Sequence, residues 1–474
     1  SFTHGFGASF LKRLCNSCGI VSAPSYAQCR GAREDGFKLT YGHSVGSPEG
    51  VDVANCKYLV VIGHHLGENM HNTAVQDLSL AIKKGAKLVA VDPRFSVLAS
   101  KGKWLPIKPA TDIALVRGWI HILIKEKKYN IDFVAQNTVG IDELWDGVKD
   151  ATPELTAKLT GIPVEQVVEV ARDLARYAPN ALIHPGRRAN WYGDDTQRAR
   201  SMAILNALLG NYKMPGGLIT QKKYGVPPIN FPKFKHPRVQ YSSKYPLASK
   251  VSSFEIIQHT LEGKPWDIHG WIVYGTNLIH TSANQALTYE AITKLKFIAS
   301  IDVLPSEITG YSDVILPECT YLERYDDLDD RTYREPYVAI RQPAVPPMYD
   351  SKPGIEIFKI LAEKMGRFDL FEDDIETYLD KRLKKIGKSL EELKEKGVFV
   401  KPETPLYRQP NQKLKFKTPS GKIELVSSKM KEHGFDGVPQ YTPHRENPDG
   451  YYRLLFGRAP MHSFGRTTNN RILL

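Results

Sequence analysis

The sequence predicts an α/β protein built on parallel sheets, from two observations. One strand–loop–helix–strand unit is written twice, over residues 57–94 and again over 270–307. In both copies the second strand closes on an acid, Asp92 in the first and Asp302 in the second. Short apolar runs alternating with helical stretches build parallel sheets, and such sheets take ligands beyond the carboxyl ends of their strands. At 474 residues the chain exceeds one hydrophobic core, so about two to four domains are expected.

The first copy reads YLVVIG, HHLGEN, AVQDLSLAIKKG and KLVAVDPR; the second reads WIVYG, TNLIHTSAN, QALTYEAITKL and KFIASIDVLPSE. A strand that stops on Gly63 or Gly275 lets backbone approach a bulky ligand. The helix that follows offers unpaired N–H groups and a partial positive charge to phosphate. Asp92 and Asp302 are placed to accept from a ribose hydroxyl or a guanine edge. Neither copy contains G-x-G-x-x-G, so the ordinary NAD or FAD fingerprint is missing. Two readings stay open on the repeat alone: two nucleotide sites, or two structural units without ligand.

Around the repeats, SFLKRLCNSCG reads as a helix ending at Gly19. GWIHILIKEKK, DELWDGVK, EQVVEVARDLARYA and ILNALLGNYKMPGG read as further helices, and ALIH as a strand ending on His184, a packed histidine. Residues 373–396 read as one solvated helix, because Ile375, Leu379, Leu383 and Ile386 recur at helical spacing; a partner-binding helix is the alternative.

The net charge of +12 and pI of about 9.2 come from Lys and Arg spread among Asp and Glu. Only residues 222–250 combine basic and aromatic side chains, and their prolines favour an extended surface arm over contact with nucleic acid. No apolar run approaches the roughly 18 residues of a membrane span. Both ends look cut: the chain opens on SFTHGFGASF without Met or signal peptide and closes on RILL, so a piece of a longer protein is expected.

Five cysteines are too few for a disulfide scaffold. Cys15 and Cys18 form a C-x-x-C that lacks a second pair of metal ligands, so they read as a helical packing pair. Cys56 precedes a strand and Cys319 sits in the apolar VILPECTYL, and both read as core. Cys29 lies in what reads as a loop beside Arg30 and Arg33, whose charges favour the thiolate that binds metal or attacks substrate.

Taken in order, Cys29, YLVVIGHHLGEN, KLVAVDPRFSVLASKGKWLPIKPATDIAL, ILNALLGNYKMPGG, VYGTNLIHTSAN, IDVLPSEITGYSDVILPECTYLERYD and FGRAPMHSFGRT make the chain resemble the catalytic subunits of the molybdopterin-dependent oxidoreductases, the dimethyl sulfoxide reductase family. The resemblance covers nearly the whole chain. LPECTYLERYD and YVAIRQPAVPPMYDSKP are most similar to its thiosulfate, polysulfide and arsenate reductase branch.

The resemblance implies two doubly wound, Rossmann-like domains related by a pseudo-repeat, one inserted in the other: 29–212 within 1–28 plus 213–450, with 451–474 opening a cofactor-lidding domain. It implies molybdenum or tungsten held by two molybdopterin guanine dinucleotides. By motif match, Gly63, Glu68, Asn69, Asp92, Arg94 and Asp112 hold one dinucleotide, and Gly275, Asn277, Asp302, Glu307 and Asp313 the other. Gly457, Arg458, His462 and Thr467 reach pterin or phosphate groups. Where most members read PGTD this chain reads PATD, with Ala110 at the tight turn. Cys29 falls at the family's metal-ligand position, where a soft thiolate suits a metal already bound by dithiolene sulfur.

Arg187, Arg188 and Arg200 belong to a stretch that runs past the active site in the family, and they suit a small anionic substrate, with salt bridges to Asp194 and Asp195 as the bland alternative. The branch implies reduction of polysulfide, thiosulfate or tetrathionate; arsenate reduction and formate oxidation are alternatives, and a non-catalytic scaffold subunit is the reading outside enzymology. It also implies an iron–sulfur electron-transfer subunit, a membrane anchor subunit, and a place on the periplasmic face of a prokaryotic membrane. A [4Fe-4S] cluster is expected in the full-length protein, its ligands not in this sequence.

Overall fold

The structure is a computed structural model describing residues 6–20, 27–46, 50–64, 72–186, 193–229, 244–248, 251–330, 334–371, 373–401, 405–455 and 472. In chain order the strands are β1 Tyr58–Ile62, β2 Lys87–Val91, β3 Lys103–Leu105, β4 Thr138–Val139, β5 Ala181–Ile183, β6 Gly270–Tyr274, β7 Phe297–Asp302, β8 Val314–Pro317, β9 Tyr337–Ala339, β10 Val398–Val400 and β11 Ile423–Glu424.

The first sheet is parallel, with order β3-β2-β1-β5. Every residue of β1 is buried, as its unbroken apolar run requires of a central strand covered on both faces. The Asn72–Lys83 helix links β1 to β2, and the chain then steps outward to β3. It returns through the Val164–Tyr177 helix to lay β5 on the opposite flank of β1. Strand order therefore reverses between β1 and β5, and the crevice beyond their carboxyl ends is where open parallel sheets take ligands.

The second sheet, β6-β7-β8, is also parallel. Alternation along its strands feeds two cores. Trp271, Val273 and Ile298 pack with Ile257, Ala291 and Ile292 from the Ser253–Glu262 and Gln285–Lys294 helices. Tyr274 and Ile301 pack with Phe10, Leu14 and Phe358 from the Phe6–Cys18 and Gly354–Lys364 helices. The Phe6–Cys18 helix thus belongs with the second sheet, and its Phe10 ring stacks 5.0 Å from Phe371. Gly19, in the left-handed region at φ +70°, follows it.

Three sequence expectations change. Residues 213–450 do not keep together: Phe416, Ile423, Leu425, Val426 and Val438 pack in the core of the first sheet. β11 pairs in parallel with β4, Arg117 donates to the Pro439 carbonyl at 2.6 Å, and Gln197 donates to the Asp436 carbonyl at 3.0 Å. Residues 373–396 form two helices, Ile375–Lys384 and Leu390–Lys396, broken at Gly387 (φ +69°). Their apolar faces are core, with Leu379, Leu383 and Leu393 fully buried. Cys29 lies inside a helix, Ala27–Tyr41, and not in a loop.

No helix among the described residues is long and apolar enough to cross a membrane.

Candidate functional site

The first strands of the two repeat units end in the same turn. Gly63 follows β1 at φ +55° and its N–H donates to the Val91 carbonyl at 2.9 Å; Gly275 follows β6 at φ +59° and its N–H donates to the Ile301 carbonyl at 2.8 Å. A residue with a Cβ would pay about 1–2 kcal/mol for that backbone. In each unit the bond carries the chain off its strand and onto the carboxyl end of the neighbouring strand, leaving the strand ends open.

At the first sheet the edge of this opening is acidic and basic together. Asp92 is buried, its Oδ1 accepts from the Arg94 N–H at 2.8 Å, and the largely exposed Arg94 guanidinium lies 3.4 Å away. Trp104 Nε1 donates to the Asp92 carbonyl at 2.7 Å. Asp112 heads the Asp112–Lys125 helix just after Ala110, which takes φ +71° where the tight turn was expected. Its Oδ2 accepts from Arg198 Nε at 2.6 Å, and Arg198 Nη2 donates to the Ile62 carbonyl at 3.0 Å. Arg198 thereby fixes the residue before the Gly63 turn.

Two histidines stand in the crevice between β1 and β5. His64 and His184 stack with ring centroids 5.0 Å apart. The Gly186 N–H donates to His184 Nδ1 at 3.1 Å, which puts the ring proton on Nε2.

At the second sheet the Asn277 amide donates to Glu307, and Asp302 accepts from the Val303 N–H at 2.8 Å. Gly275, Asn277, Asp302 and Glu307 therefore gather at the carboxyl ends of β6 and β7. Asp313 does not join them. It precedes β8, and its carboxylate accepts from the Ile298 N–H at 2.7 Å, at the amino end of β7, so the length of a four-residue strand, roughly 13 Å, separates it from the open end. Glu318, which directly follows β8, is the acid that parallel register brings to that end; it accepts from Tyr274 Oη at 2.5 Å and pairs with Arg324.

Arg200 is also misplaced for its expected role. It is fully buried in the first core, donating to Gln197 Oε1 at 2.8 Å and lying 3.4 Å from Met430 Sδ. Burial pushes its pKa down to about 10 against the pull of Glu424 and Asp194. Cys29 sits in the first turn of the Ala27–Tyr41 helix, and its side chain is outside the described part. Cys15, Cys56 and Cys319 are buried thiols, and burial raises Cys15 to about 11 and Cys56 to about 12, which suits packing and not ligation. Glu68, Asn69, Arg187, Arg188, Gly457, Arg458, His462 and Thr467 lie outside the described residues.

A family profile described as molybdopterin oxidoreductase matches residues 3–364. The chain belongs to the molybdopterin oxidoreductase family. Among its relatives, the thiosulfate reductase molybdopterin-containing subunit of Salmonella typhimurium is 31% identical over 97% of this chain and 66% of its own length. A probable oxidoreductase of Bacillus subtilis is 30% identical over 93% and 64%. The dimethyl sulfoxide reductase of Escherichia coli is 24% identical over 98% and 64%. The chain thus spans about two thirds of the length of these relatives. In fold it is similar to the acetylene hydratase structure from Pelobacter acetylenicus, with a TM-score of 0.74 at 22% identity over 93% of this chain and 64% of that one.

Membership in the molybdopterin oxidoreductase family implies a molybdenum–molybdopterin cofactor, and the strand ends fit a polar, phosphate-bearing group. Asn277 Oδ1 and Ser282 Oγ, at either end of the short Leu278–Thr281 helix after β6, are buried without a hydrogen-bond partner among the described residues. Buried polar atoms rarely go unanswered; Asn277 Oδ1 suits an N–H or O–H of a ligand, and the Ser282 hydroxyl can donate to a phosphate oxygen.

The sequence reading missed Arg198, Ser282, His64 and Glu318. Arg198 could be picked out only by knowing which face of the Asp195–Leu208 helix meets β1. Glu318 needed the register of β8.

Proposed function

We propose that the protein is the catalytic chain of a molybdenum or tungsten enzyme carrying two molybdopterin guanine dinucleotides, and that it reduces a small sulfur-containing substrate such as thiosulfate, polysulfide or tetrathionate. The observation that carries the two-dinucleotide reading is the matched pair of turns at Gly63 and Gly275, each hydrogen-bonded to the adjacent strand at 2.9 and 2.8 Å. Two sheets that end alike offer two like sites, the Rossmann-like halves of a pseudo-repeat. Gly63, Glu68, Asn69, Asp92, Arg94 and Asp112 would hold one dinucleotide, with Arg198 steadying Asp112. Gly275, Asn277, Ser282, Asp302 and Glu307 would hold the other. Gly457, Arg458, His462 and Thr467 would contact the pterins.

The cofactor, when bound, supplies a metal that exchanges two electrons with substrate. The chain's own residues do the rest. Cys29 ligates the metal as a soft thiolate. Arg187 and Arg188 hold the anion, because a guanidinium stays charged and offers a planar fork of donors even when desolvated. Losing one such contact costs about 1.5–3 kcal/mol of binding, roughly 10- to 150-fold in affinity at about 1.4 kcal/mol per decade. Electrons would arrive from an iron–sulfur subunit and its membrane anchor on the periplasmic side, and a [4Fe-4S] cluster would lie in the remainder of the full-length protein.

The sulfur substrate is favoured by the thiosulfate reductase relative. The arsenate respiratory reductase of Chrysiogenes arsenatis, 29% identical over 66% of this chain, favours arsenate as the second reading. Metal and nucleotide analysis of purified protein should give a pair of GMP equivalents per metal atom. One GMP, or none, sinks the paired reading, and a protein without metal or nucleotide is a scaffold. Reduced viologen assays against thiosulfate, polysulfide, tetrathionate, arsenate and nitrate, with formate oxidation alongside, decide the substrate; preference for formate or nitrate refutes the sulfur reading. Cys29→Ala should abolish turnover and leave the nucleotide content in place, whereas Cys18→Ala should stay active.

A further inference from the structure

Arg33 lies on the Ala27–Tyr41 helix one turn beyond Cys29, a rise of about 6 Å. Its guanidinium is almost fully buried. Nη1 donates to the Gly186 carbonyl at 2.7 Å and Nη2 donates to the Gly46 carbonyl at 2.8 Å. The two acceptors come from distant segments: Gly46 follows the end of the Cys29 helix, and Gly186 closes the turn after β5, at φ +68°. A charge this far from water persists only where good acceptors answer it, so the position of all three segments is tied to one side chain.

Gly186 ties in two directions. Its carbonyl accepts from Arg33 and its N–H donates to His184 Nδ1 at 3.1 Å, so the turn is fixed both to the Cys29 helix and to the histidine pair in the crevice between β1 and β5. The very next residues in the chain are Arg187 and Arg188. The Cys29 helix is also held by close packing on the Asp195–Leu208 helix. A Cβ at Gly36 would come within 2.7 Å of the Ala199 Cβ and the Thr196 carbonyl, so glycine permits this approach.

We infer that Arg33 is a positioning residue that sets the spacing between Cys29 and the segment entering Arg187 and Arg188. This deepens the proposed function and rests on its assignment of Cys29 and the two arginines. Lysine keeps the charge but carries its donors on one nitrogen and lacks the planar fork whose two nitrogens reach separate carbonyls, and methionine fills similar space with no donor. The two replacements therefore separate charge from geometry.

Arg33→Lys and Arg33→Met are to be compared with the wild-type protein by hydrogen–deuterium exchange, metal and GMP content, and steady-state kinetics on the preferred anion. The expected result is full metal and GMP content, faster exchange confined to the 27–46 and 181–186 segments, and a rise in KM of about tenfold for Arg33→Met with a smaller effect on kcat. Arg33→Lys should fall between the two. Unchanged exchange at residues 181–186 in both variants overturns the inference, as does an Arg33→Met protein with wild-type KM. Loss of fold in Arg33→Met leaves Arg33→Lys to decide by the same measures. The exchange result separates this inference from the assignment of Cys29. An active Cys29→Ala protein would refute the thiolate ligand and leave the Arg33 linkage standing.

Discussion

A guanidinium with no solvent exposure, as at Arg200, has to be answered by acceptors from the protein itself. Its partners are Gln197, the Leu425 carbonyl and Met430, all in the first core, so its work is to join the Asp195–Leu208 helix to the 423–430 segment. Arg200→Ala should therefore lower stability by about 2–4 kcal/mol, seen as a lower urea midpoint, with the KM of the folded fraction unchanged; a raised KM at unchanged stability would restore the anion-binding role. Ala110 makes the opposite case. At φ +71° an alanine carries about 1–2 kcal/mol of strain, and glycine returns about 0.5–1 kcal/mol of that as chain entropy. Ala110→Gly should raise stability by about 0.5–1 kcal/mol in chemical denaturation. Glu126 sets a pH dependence. Arg172, bonded through Nη2 at 2.8 Å, and then Lys128 hold its carboxyl down at about 2. A depressed carboxylate contributes above its unfolded pKa, near 4.5, and loses that contribution as pH falls toward 2. Discounted for solvent screening, it is worth about 0.5–1 kcal/mol. Glu126→Gln should flatten the acid limb of the stability curve by that amount.

Elements were legible where local pattern decides them. The runs YLVVI and KLVAV became central and neighbouring strands because an unbroken apolar run can only be buried on both faces, and the glycines that end β1 and β6 marked where the chain leaves the sheet. The helices at Asn72–Lys83 and Gln285–Lys294 followed from their spacing. What sequence could not show was register and partnership. Asp313 resembles a site acid by its place in the motif, yet β8 pairs so that Asp313 lies at the amino end. Cys29 looked like a loop residue because SAPSY precedes it, whereas helix begins at Ala27. The 373–396 stretch has one continuous helical periodicity, but Gly387 in the left-handed region ends the first helix and Ser389 caps the second. Gly387→Ala should not fuse the two. It should cost about 1–2 kcal/mol of stability from the forced φ, with helical content by circular dichroism unchanged; a gain in helicity would show that the break is set by the glycine alone.

At the scale of the whole molecule, segments that are remote in sequence meet on single buried acids. Asp52 accepts from the Gly216 N–H at 3.0 Å and from Tyr407 Oη at 2.7 Å, and pairs with Arg334 at 3.2 Å. Arg334 also reaches Asp77 at 3.3 Å. Asp52→Asn should cost about 3 kcal/mol, at the lower end for breaking a buried pair because Arg334 keeps some solvent and a second acid. Thermal unfolding with the Asp77→Asn variant alongside would show the coupling as non-additivity. The pairing of β4 with β11 carries a different consequence, one of timing. Thr138 and Val139 wait for Ile423 and Glu424, and the core around β1 stays open until Phe416, Leu425 and Val438 arrive. On a ribosome, the first sheet is made early and its core is closed late. Throughout synthesis of the second sheet, the nascent first sheet carries an unfinished apolar surface, the kind of exposure that calls for chaperone cover during translation.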